Sequence, residues 1–296
     1  MQATYLDPNV LSKIGSLDLV ARQVVEGLRI GTHKSPARGV SSEFTAYRQY
    51  VPGDEIQHID WKSYARSDRY YIKLYEAETN FVSNMLIDCS SSMTYGSGGI
   101  TKLEYAKYLA ASLSYIIVDQ GDSVGLGLFH GELQKYIQPK SSMGVLVDMS
   151  RELEKCVPEP RTDISKVLTN FAHMMSRRGV IVLFSDMLDN TEEFVKGINH
   201  LRFRGHNVIV FHILDSDELD FPFKGTAKFN GLEGEDEIIT QPDRLRDRYL
   251  DELEKFISGI RNSCTKAGVD YILVNTSDPI EHVLSGYLLQ RSFMNK

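Results

Sequence analysis

Residues 86–102 read LIDCSSSMTYGSGGITK: an apolar run ending on Asp88, two serines at two-residue spacing, and a glycine cluster before the next periodic segment. Upstream, FVSNMLID (81–88) has the makeup of a strand, and downstream KLEYAKYLAASLSYIIVDQ (102–120) carries apolar residues at helical spacing. Strand, short polar loop and helix form one α/β unit, and the chain repeats that pattern. DSVGLGLF (122–129) predicts a second strand and ELQKYIQP (132–139) an edge strand or hairpin arm. MGVLVDMSRELEKC (143–156) reads as helix, and in ISKVLTNFAHMMSRR (164–178) Ile164, Val167, Leu168, Phe171, Met174 and Met175 form one apolar stripe. GVIVLFSD (179–186) and HNVIVFHIL (206–214) are continuous apolar runs of the kind buried on both faces of a parallel sheet. A helix over TEEFVKGINHLRFR (191–204) separates them. A long helix (about 243 to 267), the strand VDYILVN and a short final helix complete the pattern.

This alternation predicts an α/β fold over 81–296, a doubly wound, mostly parallel sheet covered by helices on both faces. Residues 1–80 stand apart as an N-terminal extension, with a helix over about 9 to 30. RYYIKLYEAE (69–78) alternates like a strand with one solvated face. FKGTAKFNGLEGEDEII (223–239) has the glycines and charges of hairpin turns, and the two outlying segments are expected to pair as a small β annex.

Composition narrows the function. The 296 residues are 42% hydrophobic and 25% charged, an ordinary globular balance. A formal charge of −7, with the basic residues scattered, argues against nucleic acid or an anionic membrane as partner. The start, MQATYLDPNVLSKIG, lacks a charged segment followed by an apolar one, and no run approaches the roughly 20 apolar residues of a membrane helix. The expected location is cytoplasmic, without membrane insertion. Cys89, Cys156 and Cys264 lie too far apart for paired metal ligation and read as small buried hydrophobes in a reducing compartment.

GSGGITK is not a phosphate loop. That motif requires lysine directly after the last glycine and a hydroxyl after the lysine; here Ile100 and Thr101 follow Gly99, and Leu103 follows Lys102. Gly96, Gly98 and Gly99 also miss the dinucleotide spacing, so the glycines read as a flexible surface turn. Ser90 and Ser92 lack the flanking glycines of a nucleophile elbow, and His130, His173, His206 and His212 have no motif context. A metal site remains. Asp88 closes a strand where ligands of parallel sheets collect, and a carboxylate with two hydroxyls is a hard oxygen set suited to Mg²⁺.

The D-x-S-x-S pattern of Asp88, Ser90 and Ser92 resembles the first element of the metal-ion-dependent adhesion site of von Willebrand factor A domains. The resemblance implies a threonine and an aspartate from two later loops, for which Thr162 in RTDIS and Asp186 in LFSD are the candidates. It also implies bound Mg²⁺, with Mn²⁺ or Ca²⁺ as alternatives. Each residue has a structural reading too: Ser90, Ser92 or Thr162 as helix caps, Asp186 in a turn. Pro160 and Arg161 stand where that family carries small glycines, which implies a stiffer second loop.

A second motif, YRQYVPGDEIQHIDWKSYARS (47–67), resembles the signature of the bacterial family catalogued as domain of unknown function 58. The matching residues are Arg48, Tyr50, Gly53, Asp54, His58, Asp60 and Trp61, followed by Glu76 in LYEAE. VPGDE has the residues of a type II turn, and the motif reads either as a structural clamp or as a partner contact. The family resemblance implies partnership with a MoxR-type AAA+ ATPase, or with its client through an acidic residue, in a non-enzymatic adaptor or co-chaperone role. A metal-dependent hydrolase using the same site is the alternative.

Overall fold

The computed structural model describes residues 46–49, 64, 70–74, 81–160, 164–175, 177–188, 191–233 and 236–294. Two compact units hold them, one within Lys34–Asn80 and one over Phe81–Lys296. In the first, β1 (Ala46–Gln49) pairs antiparallel with β2 (Tyr71–Leu74), which sets Arg48 opposite Ile72. The rings of Tyr64 and Tyr70 stack at 4.4 Å. The helix expected near 9–30 and Tyr50, Gly53, Asp54, His58, Asp60, Trp61 and Glu76 lie outside the described residues.

The second unit is the expected doubly wound sheet. Its elements in chain order are β3 (Val82–Asp88), α1 (Lys102–Asp119), β4 (Ser123–Phe129), β5 (Leu133–Lys140), α2 (Gly144–Lys155), α3 (Ile164–Met174), β6 (Val180–Ser185) and α4 (Thr191–Phe203). There follow β7 (Asn207–Leu214), α5 (Ser216–Asp220), β8 (Ala227–Phe229), β9 (Ile238–Thr240), α6 (Pro242–Lys266), β10 (Asp270–Asn275) and α7 (Ile280–Met294). The six-stranded sheet has the order β10-β7-β6-β3-β4-β5, parallel except for β5, which runs antiparallel at one edge.

Alternation along β3 distributes the core. Met85 and Ile87 face a cluster closed by α1, α2 and α7, while Leu86 faces one closed by α3, α4 and α6. Burial on both sides explains the apolar run of β6. From β3 the chain winds outward through β4 and β5, then returns to β6 on the opposite side of β3. The reversal places the topological switch point between β3 and β6, and the crevice at their carboxyl ends is where such sheets bind ligands.

Three expectations need correction. Among the described residues, β8 pairs with β9 and β1 with β2, so each outlying segment closes on itself rather than on the other. In each pair the ladder bonds are made by two strands of the same segment. Met174 is 52% exposed because α3 ends there, and Ala172 takes the last buried position of the stripe. The final helix is not short: it has 15 residues, carried by Ile280, Leu284 and Tyr287, which are buried at helical spacing.

The glycine-rich stretch after β3 is exposed, but it is not loose. Lys102 N–H donates to the Tyr95 carbonyl at 2.9 Å and closes the loop, while Gly99 takes the left-handed conformation at φ 84°. Gly96 is required by space, since a Cβ there would overlap the Ile100 carbonyl oxygen. Gly98 has nothing within 4 Å of its Cβ position. We therefore expect Gly96→Ala to lower stability by about 1–3 kcal/mol. Gly98→Ala should stay within about 0.5 kcal/mol of wild type. Urea unfolding, read as a midpoint shift at unchanged slope, distinguishes the two.

Candidate functional site

Asp88 ends β3 with its side chain fully buried, directly beside the switch point. Beyond it the chain is pinned on both sides. Cys89 N–H donates to the Phe129 carbonyl at 2.6 Å, and Ser90 forms a parallel bridge with Glu159. That bridge consists of Glu159 N–H to the Cys89 carbonyl at 3.2 Å and Ser91 N–H to the Glu159 carbonyl at 3.0 Å. One Asp88 oxygen accepts from Ser90 N–H at 2.9 Å, and the other accepts from the Ser185 hydroxyl at 2.6 Å. Ser185 ends β6, so this last bond ties the two strands across the crevice.

The serines are not helix caps. Ser90 precedes a 3-10 turn (Ser91–Thr94) but makes no side-chain capping bond, and α1 is capped by Thr101 in a reciprocal box with Glu104. Instead the Ser90 and Ser92 hydroxyls, both buried, share a hydrogen bond at 3.0 Å. Adjacent oxygens of an octahedral Mg²⁺ with bonds of about 2.1 Å stand about 3.0 Å apart, so the pair fits two neighbouring ligand positions. Among the described residues no group of three or more His, Cys, Asp or Glu could hold a metal. Asp88 with the two hydroxyls is a hard oxygen set of the kind Mg²⁺ accepts. Thr162 lies outside the described residues.

Asp186 follows β6 and is fully buried, but it already faces a cation. One of its oxygens accepts from Lys102 Nζ at 2.9 Å, and the other from Leu188 N–H at 3.2 Å. Lys102, itself without solvent exposure, also donates to Glu218 at 2.7 Å. Burial alone would depress the Lys102 pKa, yet the two carboxylates outweigh it and hold the ammonium above its ordinary value. For Glu218 burial dominates, and its pKa rises despite the lysine. Sequence reasoning used Lys102 only to dismiss a phosphate loop. A signal was present: Lys102, Tyr105, Ala106 and Leu109 form one buried stripe of α1, with the charge at its first position.

Asp215 was also missed. It follows β7 as Asp186 follows β6, and it accepts from Ser97 N–H (3.1 Å) and hydroxyl (2.5 Å), Asp217 N–H (2.9 Å) and the Thr276 hydroxyl (2.8 Å). Burial would raise its pKa, but the donors led by the Ser97 hydroxyl lower it. His212, inside β7, bonds the Asp186 carbonyl through Nε2 at 2.8 Å and Tyr271 Oη through Nδ1 at 2.7 Å. A carbonyl only accepts, so Nε2 carries the proton and Nδ1 accepts from the tyrosine. Burial pushes the imidazole pKa down to about 4, leaving it neutral.

The fold and the site define a doubly wound α/β domain with a polar, hydroxyl-rich centre at its switch point. The chain belongs to the family described as protein of unknown function DUF58, whose model matches residues 46–255. It is 23% identical over 230 residues to the uncharacterized protein Mb1516 of Mycobacterium bovis, covering 77% of this chain and 72% of that protein. The uncharacterized protein Rv1480 of Mycobacterium tuberculosis matches with the same identity and coverage. Among solved structures, the conserved hypothetical protein BatB of Bacteroides thetaiotaomicron superposes with a TM-score of 0.48 at 17% identity, over 72% of this chain and 98% of that one. The SpRpn10 VWA domain gives 0.41 at 11% identity, over 70% and 94%. Among the described residues no helix is long and apolar enough to cross a membrane.

Two outcomes follow from the buried charges. Lys102→Met removes the ammonium from between the Asp186 and Glu218 carboxylates and should cost about 3–5 kcal/mol of stability. Measured by urea unfolding, a loss below about 1 kcal/mol, the scale of an exposed pair, would contradict this account. The unfolded His212 imidazole takes up a proton near 6.5, the folded one only near about 4. Between those values the unfolded state binds more protons, so stability falls as the pH is lowered, by about 3 kcal/mol from this group. Urea titrations from pH 7 to 4 should show that loss, and His212→Gln should flatten it.

Proposed function

We propose that the chain is a non-enzymatic protein-interaction module in which Asp88, Ser90 and Ser92 hold Mg²⁺, with Mn²⁺ or Ca²⁺ as substitutes, for capture of an acidic residue on a partner. The observation that carries this reading is the 3.0 Å spacing of the Ser90 and Ser92 hydroxyls beside the buried Asp88 carboxylate. Thr162 and Asp186 complete the set directly or through water. When bound, an ion with one carboxylate and neutral hydroxyls around it supplies an electrophilic centre. Lys102 reinforces that property, because it balances the Asp186 charge that would otherwise offset the ion's.

The neighbouring ionisable groups support binding over hydrolysis. A hydrolase needs a general base free to take a proton. His212 has both ring nitrogens engaged, Asp186 is paired with Lys102, and Asp215 accepts from four donors. The partner we propose is a MoxR-type AAA+ ATPase or a client that it remodels, with this chain as a cytoplasmic adaptor or co-chaperone. That partner is the one implied by the resemblance of the 47–67 motif to its family.

The test is capture of a MoxR-type ATPase by wild type, by Asp88→Asn (which keeps the side-chain shape) and by EDTA-treated protein. Capture should require both divalent metal and the carboxylate. Calorimetry should give an affinity for Mg²⁺ that is roughly micromolar to millimolar and lost in Asp88→Asn. Equal capture in all three samples would remove the metal from the mechanism.

A further inference from the structure

The β8–β9 hairpin carries a carboxylate into the loop that holds Ser90 and Ser92. Glu233 accepts the Ser92 backbone N–H at 2.6 Å from 141 positions away in the chain. The Ser92 N–H is available because it opens the 3-10 turn: Met93 N–H bonds the Ser90 carbonyl and Tyr95 N–H the Ser92 carbonyl. A charge-assisted bond of this length fixes the acid in place. The arm behind it is firmly seated. Phe229 of β8 stacks on Phe221 at 6.0 Å and meets Phe223 edge-on at 5.3 Å, and Phe221 stacks on Tyr249 of α6 at 4.3 Å. Lys228 and Glu237 pair across the hairpin at 2.7 Å.

Glu233 is thus a half-buried acid delivered to the backbone of one of the three proposed metal ligands, on an element that none of the site's strands requires. Acids of this kind are what the proposed function captures from a partner. We propose that Glu233 is an internal carboxylate ligand of the Asp88–Ser90–Ser92 site, holding the position that a partner's Asp or Glu takes over. The inference rests on the metal-binding reading above. Partner binding is then a ligand exchange, one carboxylate for another, with the hairpin released from Ser92. Glu233 leads a short acidic run with Asp236 and Glu237 in the sequence, and Ile238 and Ile239 of β9 are 61% and 71% exposed.

The experiment uses Mn²⁺ alone as probe on the full chain. Glu233→Gln keeps an acceptor for the Ser92 N–H but loses the charge. Expected is a Mn²⁺ affinity weakened by about tenfold, the lower end of what metal-site partners contribute, with one additional ion-bound water read from proton relaxation enhancement. Glu237→Gln, on the same hairpin, should change neither quantity. Wild-type affinity and water count in Glu233→Gln would overturn the proposal, leaving Glu233 as a cap on the loop. Absence of Mn²⁺ binding by wild type would instead overturn the metal reading, and this inference with it.

Discussion

An ammonium group with no access to water lies between the carboxylates of Asp186 and Glu218, and it belongs to the first residue of a helix. Desolvating Lys102 is costly, and only two close carboxylates offset that cost. The arrangement ties the start of α1, the end of β6 and the short α5 to one point. The loop between β3 and α1 is consequently fixed at both ends, by Asp88 in the sheet and by Lys102 in the ion pair. Ser90 and Ser92 are presented at a fixed spacing because the chain on either side of them cannot drift. The same centre explains why an acid at the end of β6 is tolerated in a fully buried place.

The fold was legible because both periodicities are strong. Runs such as VIVLFS and the stripe of Ile164, Val167, Leu168 and Phe171 are dictated by burial on two faces or on one. Boundaries were harder. Nothing local marks where α3 ends, so Met174 was counted into the stripe although the helix stops there. The two outlying segments were assigned to each other because sequence carries the composition of turns but not the identity of the partner strand.

The site was legible in part, for a different reason. Asp88, Ser90 and Ser92 are neighbours in sequence, so their spacing is visible directly. Asp215, Ser97, Thr276 and Glu233 act over separations of 118, 61 and 141 residues, which only the closed sheet brings within bonding range. His212 sits within an apolar strand and looks like a misplaced polar residue until its two partners are seen. A buried polar network of this kind must be satisfied as a whole, and that is why its members come from so many elements.

The antiparallel edge strand β5 has an implication for how this chain meets other proteins. An open sheet edge is a template for strand addition, and proteins blunt it with lysine and proline. β5, LQKYIQPK, carries Lys135, Pro139 and Lys140 along its eight residues, and its register with β4 is irregular at two places. Proline offers no N–H to an incoming strand, and the lysines would have to shed water beside it. On this side the sheet is therefore insulated from backbone-mediated association, including with copies of itself.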